Sequence, residues 1–112
     1  MLFAFIPAAL ADEPIVIKDS EAADHFGETV EVRGTVSSVH TSRKDNSFLN
    51  MGGVYPNQAF IGFIKAGTDV SLDASFIKSL QSKEIGVVGK VQLYKGKPEI
   101  EIDEKEQIKI AD

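Results

Sequence analysis

Two short polar stretches carry most of the chemistry this chain can offer. The first, His40 to Asn46, brings three potentially cationic groups together: His40, Arg43 and Lys44. The second, Lys95, Gly96, Lys97 and Pro98, sets two ammonium groups on either side of a turn glycine. Cations in this density bind phosphates or carboxylates, but the chain around them is acidic, with a net charge of −5 and a pI near 5.0. Non-specific nucleic-acid affinity comes mostly from Lys and Arg neutralising phosphates, so a generic polyanion binder is excluded and any anion must be met by a local basic patch. The acids Glu99, Glu101 and Asp103 fall on alternating positions, the pattern of a solvated strand edge rather than of converging carboxylates.

Catalytic signatures are missing from the sequence. There is no Gly-rich phosphate loop followed by Lys and Ser or Thr, no paired His for zinc, and no Ser in a recognisable context with His and a carboxylate. Cysteine is absent altogether, which removes disulfides, thiolate metal sites and cysteine nucleophiles. His25, with no second His or Cys nearby, reads as a cap or surface residue rather than a metal ligand. The expectation is a protein that is not an enzyme and holds neither metal nor cofactor.

The elements that must position these groups are organised around Gly27 to His40. Val30, Val32 and Val36 recur at even spacing against Thr29, Glu31, Arg33 and Thr35, which predicts a strand with one apolar and one wet face. Val39 then falls on the opposite parity after Ser37 and Ser38, as a β-bulge would make it, with Gly34 letting the backbone bend nearby. A long strand bent in this way can pair into two halves of a curled sheet and so close a small five-stranded barrel. Further strands follow at Phe48 to Met51, Ala59 to Ile64, Ile85 to Tyr94 and Glu99 to Ile102, and Ile108 and Ile110 add a closing tail. In the third strand, Phe60 and Ile64 point one way with Gly62, and Ile61 and Phe63 face outward. In the fourth, Ile85, Val87, Val91 and Leu93 share a face. Phe76, Ile77 and Leu80 after Asp73 give one apolar helical face, suited to plugging the barrel between strands three and four. A short helix over Glu21 to Asp24, capped by Ser20 and ended by Gly27, precedes the long strand.

With 112 residues, 43% of them hydrophobic, the chain has material for one domain and not for two. Residues 1–11, MLFAFIPAALA, are uncharged and end in small residues before Asp12 and Glu13, as the end of a signal peptide does, although the basic n-region is missing. The run is too short to span a bilayer. The expected organisation is therefore a signal segment over 1–11, a lead-in over 12–21 and one domain over 22–110. The expected location is periplasmic or secreted, with no stable membrane anchor after cleavage.

Five strands, a kinked first strand and a helix between the third and fourth describe an oligonucleotide/oligosaccharide-binding (OB) Greek-key barrel, a mainly all-β fold. The words GETVEVRGTV, SFLNMGGVYPNQAFIGFI and VGKVQLYKGKPEIEI resemble small bacterial OB-fold domains of the tRNA-anticodon-binding or nucleic-acid-binding type. The likeness covers about Ala22 to Ile110, and LYKGKPEI and YPNQ are its most specific parts. The resemblance implies a non-catalytic module that binds single-stranded DNA or RNA weakly across strands two and three, between the loops joining strands one to two and four to five. On this chain that track carries Arg33, Phe48, Asn50, Ile61, Phe63 and Tyr94, walled by Arg43 and Lys44 on one side and Lys95 and Lys97 on the other, with Tyr55 beside it. The same residues also fit structural roles. Arg33 facing Glu31 and Glu99 can form cross-strand pairs, Tyr55 can pack on its loop, Lys95 and Lys97 can be solvated turn residues, and Phe48 can be core if Leu49 and Met51 point outward. An acidic total with outward Ile61 and Phe63 suits the alternative, a cell-envelope module for a protein partner or a small ligand.

Overall fold

The computed structural model describes residues 13–111; the signal segment expected over 1–11 lies outside them. Eight strands form one continuous set of pairings: β1 (Ile15–Lys18), β2 (Thr29–Thr41), β3 (Ser47–Met51), β4 (Phe60–Ile64), β5 (Glu84–Lys90), β6 (Gln92–Tyr94), β7 (Lys97–Ile102) and β8 (Ile108–Ile110). Along the sheet they run β6-β7-β4-β3-β2-β5-β8, with β1 added to β2 in parallel. Because β6 continues from β5 while pairing with β7, the path returns on itself. The five main strands β2, β3, β4, β5 and β7 thereby close as a barrel, as the long-strand reading expected.

The long strand shows the expected slip. Val36 pairs with Met51, but the next pair is Ser38 with Asn50, so Ser37 is the extra residue. Before it, Val30, Val32 and Val36 point into the core; after it, Val39 turns inward and Ser38 and His40 turn out. The half of β2 before the bulge pairs with β1 and β5, and the half after it pairs with β3. Gly34 serves tight packing as well as bending. A Cβ there would collide with the Asp19 carboxylate.

Leu49, Met51, Phe60, Ile64, Ile85, Val87, Val91, Ile100 and Ile102 fill the interior. Gly62 leaves space for Leu49 and Ile102, since a Cβ on it would lie 3.1 Å from the Ile102 Cδ1. The α-helix, Ala74–Ser79, sits where the apolar spacing put it and buries Ile77, with Leu80 just past its end. Asp73 caps it by accepting from the Phe76 N–H at 3.1 Å. Lys105 from the closing segment bonds Asp73 at 3.0 Å and lies 4.3 Å from the Phe76 ring centroid, tying the tail to the plug.

Three local expectations are corrected. The first helix is a 3-10 helix over Asp19–His25 whose start is at Lys18, not Ser20. There the Lys18 N–H donates to the Glu21 carboxylate at 2.9 Å. Ile85 to Tyr94 is two strands, because at Val91 the chain leaves β2 for a hairpin with β7 alone. Leu93 on that hairpin is exposed instead of joining Ile85 and Val87 in the core. The lead-in forms the short strand that the alternation of Ile15 and Ile17 allows: β1 pairs residue for residue with Val30 to Arg33 and buries Ile17.

Gly89, opposite Val30, gives a direct test of barrel closure. A Cβ there would lie 2.5 Å from the Ile100 Cγ2, a branch methyl with no room to retreat inside the core. Gly89→Ala is expected to lower the unfolding free energy by about 1–3 kcal/mol in urea denaturation followed by circular dichroism.

Candidate nucleic-acid interface

The strand registers arrange the outer face of the barrel into two rows that run across the strands. Ser38, Asn50, Ile61 and Glu99 are successive partners on β2, β3, β4 and β7, and Gln92 on β6 extends the row. Beside it, His40, Phe48, Phe63 and Glu101 form a second row in the same order. The first row is mostly polar and the second mostly aromatic. His40 and Phe48 stack with centroids 6.1 Å apart, and Phe48 meets Phe63 at 5.3 Å with the rings tilted by 43°. Leu49 and Met51 are fully buried, so Phe48 faces outward and is not a core residue.

Loops raise walls above these rows. Gly52 and Gly53, both at positive φ, turn the chain out of β3, and the following segment carries Val54, Tyr55 and Gln58 back towards β4. Its start is anchored to the bulge, because the Gly53 N–H donates to the Ser37 hydroxyl at 3.1 Å. The opposite wall is the β6–β7 hairpin, whose tip Lys95–Gly96 has both residues at positive φ. Lys97 joins the two walls, its ammonium donating to the Gln58 carbonyl oxygen at 3.0 Å. Between them lies a cleft of about 620 Å³, lined by Ser38, His40, Phe48, Asn50, Val54, Tyr55, Gln58, Ile61, Tyr94 and Lys95 among others.

Six of the eleven residues expected from the sequence thus meet in one cleft: Phe48, Asn50, Tyr55, Ile61, Tyr94 and Lys95. Tyr55 stands 75% exposed on its wall, free of the loop packing that the sequence also allowed. Phe63 extends the aromatic row behind Phe48 without lining the cleft. Arg43 and Lys44 are exposed on the β2–β3 loop beyond the His40 end of that row. Lys97 is committed to its wall-to-wall bond. Arg33 lies elsewhere, because it precedes the bulge and belongs to the half of β2 flanked by β1 and β5. It donates to Glu31 at 2.7 Å in a separate cleft of about 460 Å³ that also holds Val16, Val88 and Lys109. Its partner is Glu31 on the same strand, not Glu99. Ile61 points outward as expected but is only 4% exposed, so it forms the floor of the cleft and offers no apolar surface patch.

Ser38 and Gln58 were not singled out from sequence, and His40 was read only as a loop cation, not as a member of the aromatic row. Parity counted from the bulge would have placed Ser38 and His40 beside Phe48. Gln58 has no such signal, since a loop that folds back carries no periodicity.

The polar groups of the face are held tightly. The Asn50 amide donates to the Ser38 hydroxyl at 3.1 Å. Glu99 is buried beside Ile61, and burial, aided by the neighbouring Glu101 charge, pushes its carboxyl up to about 7. Glu101 is raised as well, first by its hydrogen bond with Asp103, then by burial and the Asp103 charge, with Lys65 opposing.

No family model and no curated protein matches this sequence. Solved structures do match it in three dimensions. One is an aspartyl-tRNA synthetase from Entamoeba histolytica, at 13% identity and a TM-score of 0.58, with 98% of this chain and 24% of that one covered. Another is the asparaginyl-tRNA synthetase of the same organism, at 18% identity and 0.58, covering 88% of this chain and 24% of that one. A third is OBody AM2EP06 bound to hen egg-white lysozyme, at 17% identity and 0.60, covering 86% and 92%. The domain is an OB-fold barrel. It spans about a quarter of the length of the two synthetases.

The raised Glu99 carboxyl fixes a sign. Its folded value of about 7 lies above the ordinary 4.5, so the folded state holds the proton more tightly than the unfolded chain does. Its contribution is complete below pH 4.5 and is lost as pH rises through 7. Glu99→Gln is therefore expected to gain about 1–3 kcal/mol on the wild type at pH 8 and to gain little near pH 4, measured by urea denaturation at both values.

Proposed function

We propose that this OB barrel is a non-catalytic module that binds single-stranded nucleic acid, weakly and with salt sensitivity, in the cleft between the Tyr55 loop and the β6–β7 hairpin. One observation carries this reading: the aromatic row His40, Phe48 and Phe63 runs directly into a cleft with an exposed Tyr on each wall and a lysine at its rim. Flat rings beside amide and hydroxyl groups suit successive bases, and stacking on one aromatic is worth about 1–3 kcal/mol per base. The cations at the two ends, Arg43 and Lys44 against Lys95, suit the phosphates of a strand lying along the rows. Glu99 and Glu101 border the same face and keep the affinity low. Two synthetases named for tRNA share the fold, which supports a nucleic-acid ligand by analogy.

The same fold is also seen with a protein bound, in the OBody and lysozyme complex. Here the outward apolar pair that favoured a protein partner is split, with Ile61 buried on the cleft floor and Phe63 packed on Phe48 behind it.

Fluorescence anisotropy of a labelled single-stranded oligonucleotide across a salt series tests the reading. Binding is expected at low salt and is expected to weaken steeply towards physiological salt. Tyr94→Ala is expected to weaken it by about 1–3 kcal/mol, and Lys95→Ala to reduce the salt slope by about 1. Arg33→Ala, on the other side of the barrel, leaves both unchanged. Absence of binding at low salt rejects the proposal.

A further inference from the structure

Tyr55 and Tyr94 face the cleft from walls that different parts of the chain supply, so neither the loop nor the hairpin alone fixes their separation. Tyr55 is largely exposed, and its position follows from the backbone of its loop. That loop is tied at both ends, where the Gly53 N–H donates to the Ser37 hydroxyl at 3.1 Å and the Ala59 N–H donates to the Met51 carbonyl at 3.0 Å. Between these ties the Asn57 N–H donates to the Val54 carbonyl at 2.7 Å and closes a turn that contains Tyr55. Gln58 follows that turn directly, and its carbonyl takes the Lys97 ammonium at 3.0 Å. Lys97 is in turn the cross-strand partner of Tyr94 in the hairpin, so the two side chains leave the same face. Among the described residues, no other hydrogen bond or ion pair joins the Tyr55 loop to the hairpin.

We infer that Lys97 is a positioning residue of the interface: through the Gln58 carbonyl it sets the distance between the Tyr55 and Tyr94 walls, and it does not itself meet the phosphates of the ligand. The inference rests on the nucleic-acid reading above and assigns a role within it. A hydrogen bond from a charged donor is among the stronger ones a protein makes. Lys97 is half-buried and turns its ammonium to a backbone oxygen of the opposite wall, whereas Lys95 is exposed at the hairpin tip, its ammonium 5.3 Å from the Tyr94 ring centroid. The two lysines thus divide the work: Lys95 is placed to meet phosphate, and Lys97 holds the wall. Rings already held at the binding distance lose less freedom when a base arrives. Without the bond, the Tyr55 wall takes wider positions, and the apparent affinity falls by the fraction of molecules whose walls stand at that distance.

Lys97→Met removes the donor and keeps most of the aliphatic stem, so it is expected to unfold in urea close to the wild-type midpoint. In anisotropy with labelled oligo(dT) at low salt it is expected to bind about 5- to 10-fold more weakly, with the slope of log affinity against log salt unchanged. Lys95→Ala in the same series loses about 1 from that slope. In a Tyr55→Ala background, Lys97→Met is expected to cost less than about 2-fold, because the wall it positions no longer carries a ring. Lys97→Gln carries the same readouts where Lys97→Met does not fold. A slope reduced by about 1 in the Lys97 variant makes it a phosphate contact and overturns the inference. Wild-type affinity in that variant, or losses that multiply in the double variant, overturn it too, and each of these results leaves the interface standing. Failure of the wild type to bind oligo(dT) at low salt removes the interface itself and the inference with it.

Discussion

One extra residue in one strand decides where everything else goes. Ser37 interrupts the pairing of β2 with β3, and because side chains alternate with a period of two, a one-residue shift sends every later side chain to the other face. Without it, Ser38 and His40 would point into a core already filled by Leu49, Met51 and Phe60, and Val39 would be stranded outside. With it, the first half of β2 faces β1 and β5, the second half faces β3, and the strand bends enough for the sheet to close. The hydroxyl of the bulge residue also receives the Gly53 N–H, so the same residue that bends the strand anchors the Tyr55 wall of the cleft.

The cleft is therefore a consequence of closure rather than an addition to it. Its floor is the outward set of β2, β3 and β4, and its walls are the two connections that closure makes necessary: the turn out of β3 and the hairpin into β7. Lys97 spans those walls through a single bond to the Gln58 carbonyl. Local rules are broken in the same place. Two buried side-chain oxygens without a hydrogen-bond partner, on Gln58 and on Glu99, whose carboxyl is raised to about 7, lie at the cleft and beside its floor, while the core cluster of the barrel is apolar.

Much of this was legible in the chain, and for reasons that separate cleanly. The bulge could be counted from Val30, Val32, Val36 and Val39, since a buried face exposes any change of parity. The plug helix announced itself through Phe76, Ile77 and Leu80 behind a capping Asp73. Both signals come from residues that face the core. Leu93 continued the alternation of its strand yet lies in solvent, because alternation does not report where a strand parts from its neighbour. Arg33 was displaced from the site by the same bulge that was foreseen, since the two halves of β2 face different neighbours. The depth of Ile61 and the place of Gln58 were beyond sequence reasoning for a shared reason. How deeply a floor residue is buried depends on loops that rise over it, and loops have no period to read.

The claim that matters most is that function resides on the outer rows beyond the bulge and not on the half of the barrel before it. Amide chemical-shift mapping during titration with a single-stranded oligonucleotide measures this at every position at once. The account predicts perturbations gathered at Ser38, His40, Phe48, Asn50, Gln58, Ile61 and Lys95, with Val16, Arg33, Val88 and Lys109 unmoved. Shifts centred on that second set instead would contradict it.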